Sequence, residues 1–136
     1  MNRTQFIEHA GRRIVYMNFS GVDDVEEGLR VIEQARLFVA AQPKQKNLLT
    51  LVNVENSKFD DRIVHALKQL AAHDQPWVMA GAVVGMSPLQ RVIYRVINAF
   101  SGRRLSAFET VEEAKAWLVR QTQPVAEVPP PPPPPA

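Results

Sequence analysis

Two kinds of apolar spacing alternate along this chain. Residues 47–54 (NLLTLVNV) and 77–84 (WVMAGAVV) are short, nearly continuous apolar runs. Runs of that length, too short for helices, predict strands covered on both faces. Between them the spacing changes to three and four. Val25, Leu29, Ile32, Ala35 and Val39 predict a helix lasting to about Ala41, with Pro43 closing it. Asp23, with Glu26 three residues on, reads as its capping box. Phe59, Ile63, Ala66, Leu67 and Leu70 predict a second helix, to about His73, with Ser57 as its cap. Before these, Thr4 to His9 and Arg12 to Phe19 flank Ala10-Gly11 and predict a β-hairpin. After them, Arg104 to Phe108 predicts a short strand. Thr110 with Glu113 then caps a last helix carrying Val111, Ala114, Trp117 and Leu118, ending near Gln121.

The predicted order is ββαβαβαβα. Strands that alternate with helices predict a parallel sheet with helical cover, and the opening hairpin adds an antiparallel strand. The expected fold is therefore α/β, with four helices on a mixed, mostly parallel sheet of four to five strands.

One stretch, Gln75 to Arg104, organises the rest. It holds the strand at 77–84, the turn Gly85-Met86-Ser87-Pro88 and a third helix. Ser87 suits the N-cap and Pro88 the first helical position. Leu89, Val92, Ile93, Val96, Ile97 and Phe100 predict one buried apolar stripe, and Gly102 a stop. Gln90, Arg91, Tyr94, Arg95 and Asn98 are expected on the polar face. Arg91 and Arg95 are four apart and point the same way. Helix N-termini present free N–H groups and a positive dipole, which suits an anion. Two readings stand for Ser87, Arg91, Tyr94 and Arg95. They form an anion-binding or acidic-partner surface, or they form the solvated outer face of an amphipathic helix.

The chain has 136 residues and a formal net charge of +2. That length predicts one domain, residues 1–122, and the charge is too small to point to nucleic acid. Distribution is more telling than the sum. Asp23, Asp24, Glu26, Glu27 and Glu33 cluster near the first helix, whereas Gln75 to Phe108 contains no acid. There are no cysteines, which excludes disulfides, thiol catalysis and cysteine metal sites. No run approaches a membrane span, and MNRTQFIEHAGRR lacks an apolar core of signal-peptide type, so a cytoplasmic location is expected. Residues 123–136 form a separate proline-rich tail. The run Pro129 to Pro135 cannot enter a helix or sheet interior and is expected as exposed polyproline II or disordered chain. Such tails dock on aromatic grooves or simply solubilise.

Several chemistries have no support. There is no GxxxxGK[ST] loop and no GxGxxG. The strand ends carry Asn18 and Asn53 where a receiver-type site needs acids. His65 and His73 are eight apart on one helix, roughly 12 Å by helical rise, too far for one metal. Asp60 and Asp61 suit a helix start. Ser57, Ser87 and Ser101 have no neighbouring His and no GxSxG context. No cofactor or metal is expected, and an enzyme would have to recruit Asp60, Asp61 and His65.

With the element order in place, the chain resembles the STAS fold. More closely, it resembles the small stand-alone bacterial proteins called SpoIIAA-like, grouped with STAS and SEC14 lipid-binding domains. The segments that carry the resemblance are IVYMNFSG at 14–21, LLTLVNV at 48–54, AVVGMSPLQRVI at 82–93, FSGR at 100–103 and FETVEEAKAWL at 108–118. The resemblance implies a regulatory or interaction module without enzymatic activity, binding a protein partner or a second copy of itself. Its SEC14 side implies a small anionic or lipid-like ligand. Regulatory members carry a phosphorylatable Ser in a DxSG-type loop before the helix after the third strand. The matching stretch here is Asn53-Val54-Glu55-Asn56-Ser57, without DxSG, so Ser57 is the weak counterpart of that phosphosite.

Overall fold

The hairpin turn shows how the first two strands pair. Ala10 and Gly11 both have positive φ, 51° and 81°, which matches the twist of a two-residue hairpin turn. β1 (Thr4–His9) and β2 (Arg12–Asn18) are therefore antiparallel, in register from Thr4↔Met17 to His9↔Arg12. The structure, a computed structural model, describes residues 3–101 and 105–121, and the side chains of 97–101 lie outside that description. The predicted stop at Gly102, the residues Arg103 and Arg104, residue 122 and the tail at 123–136 fall outside it as well.

The remaining strands are β3 (Leu48–Asn53), β4 (Val78–Val84) and β5 (Leu105–Phe108). They form one five-stranded sheet in the order β1-β2-β3-β4-β5, parallel from β2 onward. The helices are α1 (Val25–Ala40), α2 (Asp61–Asp74), α3 (Pro88–Ser101) and α4 (Val111–Val119). All nine elements stand in the predicted order, and the sheet is the expected mixed one.

Each sheet face has its own core. On one, Val15 and Met17 of β2 pack with Val31, Ala35 and Val39 of α1 and Ile63 and Leu70 of α2. On the other, Ile14, Leu49, Leu51 and Ala82 pack against Ala114 and Leu118 of α4. Cover on both sides explains why the β3 and β4 sequences run apolar without alternation. Gly28 lets α1 approach α2, since a Cβ there would lie 2.6 Å from Ile63 Cδ1.

Two helix starts differ from the expected ones. The N-cap of α1 is Asp24, which accepts from the Glu27 N–H at 3.0 Å, one residue beyond Asp23. The N-cap of α2 is Asp60, accepting from Ile63 N–H at 2.9 Å, and Ser57 is not a helix cap. The Lys58 N–H donates to Val22 carbonyl at 2.9 Å, which ties 58 to the α1 entry and delays the helix. For α4 the expected cap holds, with Thr110 Oγ1 accepting from Glu113 N–H at 3.1 Å.

Arg12 closes the far end of α4. Its Nη1 donates to the carbonyls of Val119 and Gln121, at 3.0 and 2.7 Å. A helix C-terminus leaves carbonyls unpaired, and a cation there answers both the hydrogen-bond and the dipole need. Arg12→Ala is expected to lower unfolding stability by about 1–3 kcal/mol, and Arg12→Lys to recover part of the loss. Urea denaturation of the three proteins measures this.

Candidate functional site

The carboxyl ends of β3, β4 and β5 lie at one end of the sheet, where parallel α/β folds build their sites. Asn53 ends β3. Its Nδ2 donates to Tyr16 hydroxyl at 3.0 Å and its Oδ1 accepts from Glu55 N–H at 3.0 Å, so the loop that follows starts in a fixed direction. Asn18, at the end of β2, likewise accepts from the Ser20 N–H and hydroxyl, at 3.0 and 2.6 Å. The two asparagines that stand where a receiver would hold acids organise turns.

Gly85 leaves β4 with φ of 84°. A Cβ there would meet Glu55 N at 2.8 Å and Glu55 Cα at 2.9 Å. The β4–α3 turn and the β3–α2 loop thus touch backbone to backbone, and only glycine allows it. This contact brings Ser57 and Ser87 to one place.

Gln90 joins them. Its Oε1 accepts from Ser87 N–H at 3.0 Å, and its own N–H donates to Ser87 Oγ at 3.2 Å. That is a reciprocal capping box, Ser87-Pro88-Leu89-Gln90, legible as S-x-x-Q in the sequence but missed there. The Gln90 Nε2 then donates to Ser57 carbonyl at 3.1 Å and to Ser57 Oγ at 3.2 Å. Ser57 Oγ donates onward to Val54 carbonyl at 2.6 Å. Gln90, placed on the outer face by the sequence reading, is only 6% exposed.

The rotation of α3 follows from that anchor and corrects the expected stripe. Leu89, Val92 and Val96 are 69%, 54% and 43% exposed, while Gln90 faces inward. Ile93 and Tyr94 are half-buried and, with Gln90, border an apolar cavity of about 90 Å³ beneath α2 and α3. Ile97 and Phe100, the other members of the stripe, are outside the described side chains.

The four candidate residues separate accordingly. Ser87 and Arg91 line one open hollow together with Ser57, and Glu55 and Glu109 line it too. Arg95 is exposed and outside that hollow. Tyr94 points the other way, its hydroxyl donating to Leu105 carbonyl at 3.0 Å, which pins α3 to β5. Burial holds its pKa above the ordinary 10.0, with a smaller opposing pull from Arg91. Among the described residues, the ion pairs include neither Arg91 nor Arg95.

Among the described residues, no histidine lines this hollow. His73 stacks on Trp77 at 4.8 Å between ring centroids, and its Nδ1 lies 2.8 Å from Oδ1 of buried Asp74. The sequence reading weighed His73 only against His65 and not against its neighbour Asp74. An acidic neighbour directly before a tryptophan turn was the available signal. Among the described residues no three His, Asp or Glu side chains are grouped to hold a metal, and no helix is long and apolar enough to cross a membrane.

A solved structure with the same architecture is an uncharacterised protein of the DUF3478 family with a SpoIIAA-like fold, from Shewanella loihica PV-4. It superposes with a TM-score of 0.67 over 85% of this chain and 91% of that one, at 16% identity. The chain thus has a SpoIIAA-like, STAS-type fold, as the sequence resemblance implied. No family model matches it, and no curated protein does.

Two measurements check this geometry. Gly85→Ala forces a positive φ and a backbone clash together, so it is expected to cost at least about 2 kcal/mol in denaturant unfolding. For Tyr94, the raised folded pKa means that its contribution to stability is present below pH 10.0 and is lost as pH rises through the folded value. Tyr94→Phe is expected to remove the late phase of phenolate absorbance in an alkaline titration and to flatten the alkaline fall in stability.

Proposed function

We propose that the chain is a non-catalytic interaction or regulatory module that engages a partner protein through α3 and the adjoining sheet end. One observation carries the reading. The helix leaving the sheet's carboxyl end presents Leu89, Val92 and Val96 to the outside, beside Arg91 and Arg95. Monomeric surfaces do carry scattered apolar residues, but three on one helical stripe mark a contact surface. The hydroxyls at the same end support a non-catalytic role. Ser57 and Ser87 are both held in the Gln90 network, and among the described residues neither has a histidine or carboxylate as hydrogen-bond partner. A general base must lie within hydrogen-bond reach of the proton it takes.

Regulation at Ser57 fits within this reading. A phosphoryl group there would give up the hydroxyl's bond to Val54 and bring negative charge into the hollow that Arg91 lines.

A second reading is a small anionic ligand in that hollow, favoured by Arg91 standing with two serines. Two features weigh against it. Glu55 and Glu109 line the same space, and Gln90 and Ser87 already occupy two of the free N–H groups at the helix start. The lipid-like variant would need the apolar cavity, whose volume of about 90 Å³ is small beside ordinary ligand pockets.

Native mass spectrometry of the protein purified from its own cells at mild salt separates the readings. A protein bound in fixed stoichiometry is the expected result. A retained small molecule, released by Arg91→Glu with the fold intact, would replace the interaction reading with the ligand one.

A further inference from the structure

The chemical face of α3 and its packed face do not coincide. At roughly 100° per residue, Val92, Val96, Leu89, Ile93 and Ile97 span a continuous apolar arc of about 140°. α2, and the sheet across the apolar cavity, take the side of the helix that carries Gln90, Ile93 and Tyr94, and Val92, Val96 and Leu89 stay outside. Those three stand at i, i+3 and i+7, the narrow seam by which one helix receives another. Arg95, exposed and outside the ion pairs among the described residues, borders the seam on one side, with Arg91 next to it. Glu55, Glu109 and Glu113 line hollows together with Arg91, whereas neither hollow is lined by Arg95.

We propose that this seam docks an acidic amphipathic helix of a partner protein, its apolar stripe on Leu89, Val92 and Val96 and its carboxylates on Arg95, beside Arg91. The proposal rests on the interaction reading above and names the chemistry of the partner. Helix-in-groove recognition reads anchors at this spacing, and complementary flanking charge sets partner choice and orientation. A second copy of the chain fits less well, because its own seam carries no carboxylate to meet these arginines, and antiparallel two-fold pairing would bring the arginines of both copies together. A bilayer surface fits less well too. The three described seam residues include no aromatic, two arginines are few for anionic lipid, and acidic Glu109 and Glu113 line a hollow with Arg91.

The test uses the full chain and a fluorescent synthetic helix of roughly 20 residues, with leucines on a heptad seam and glutamates on both flanks. A twin helix carries lysine in place of every glutamate. The glutamate helix is expected to bind with a Kd on the order of 10–100 µM, in keeping with a small interface. The lysine helix is expected to bind at least about tenfold more weakly. Val92→Asp should remove binding, and Arg91→Glu with Arg95→Glu should reverse the preference between the two helices. All three substitutions are at exposed or half-buried positions, and circular dichroism confirms that the variants are folded. Equal binding of both helices, or of neither, overturns the proposal. So does binding to phosphatidylglycerol vesicles without binding to the helix, or self-association that Val92→Asp abolishes. A native partner that still binds the Val92→Asp protein would leave the interaction reading standing and sink the seam alone.

Discussion

β3 and β4 run side by side from Leu48↔Val78 to Asn53↔Val84, with helices on both faces. Their backbone groups are cut off from water, so the parallel ladder is the way those groups are satisfied. Everything else is arranged around keeping it covered. α1 and α2 cover one face and α4 the other, and the antiparallel β1 extends the sheet on the β2 side. Because the strands from β2 onward point the same way, their loops collect at one end. That end is where the chain can vary its chemistry without touching the ladder.

At that end the loops are joined by backbone contact as well as by side chains. Val54 N–H donates to Val84 carbonyl at 3.0 Å, extending the β3–β4 pairing one step past the strand. Gly85 then turns against Glu55, and Gln90 reaches back to Ser57. The start of α3 is thereby fixed to the β3–α2 loop, and a change in either is felt by the other. This coupling is a physical reason to connect Ser57 with the exposed face of α3. The two belong to one hydrogen-bonded unit although 33 residues separate Ser57 from Gln90.

The element order was legible because each segment carries its own period. Continuous apolar runs gave the buried strands and the three-four spacing gave the helices. The helix starts were less legible, for a local reason. Asp23 and Asp24 are each followed three residues later by a glutamate, so the capping pattern fits both. Packing selects Asp24, which places Gly28 where α1 meets Ile63 of α2. At α2, Ser57 and Asp60 compete as caps, and a hydrogen bond from Lys58 to Val22 decides for Asp60. In both cases the deciding contact lies outside the local capping pattern.

The orientation of α3 exposes a deeper limit of periodicity. A hydrophobic arc says that a segment is helical and amphipathic, but an arc of about 140° admits several rotations. Burial of Leu89, Val92 and Val96 would favour turning them inward, by something like 1.5–3 kcal/mol for each fully buried side chain. What opposes that rotation is polar. Gln90 carries four hydrogen bonds, two closing the helix start and two holding the Ser57 loop. Turning Gln90 outward would break the loop bonds and leave Ser57 carbonyl without this donor, and unsatisfied buried groups are costly. Tyr94 adds a second tether, to Leu105. The polar anchors thus hold an apolar seam at the surface against its own preference for burial. A sequence under no demand beyond folding could relieve this with polar residues at 89, 92 and 96. That this chain has leucine and valine at those positions, next to an Arg95 outside the ion pairs among the described residues, is the physical argument behind the proposed docking of a partner.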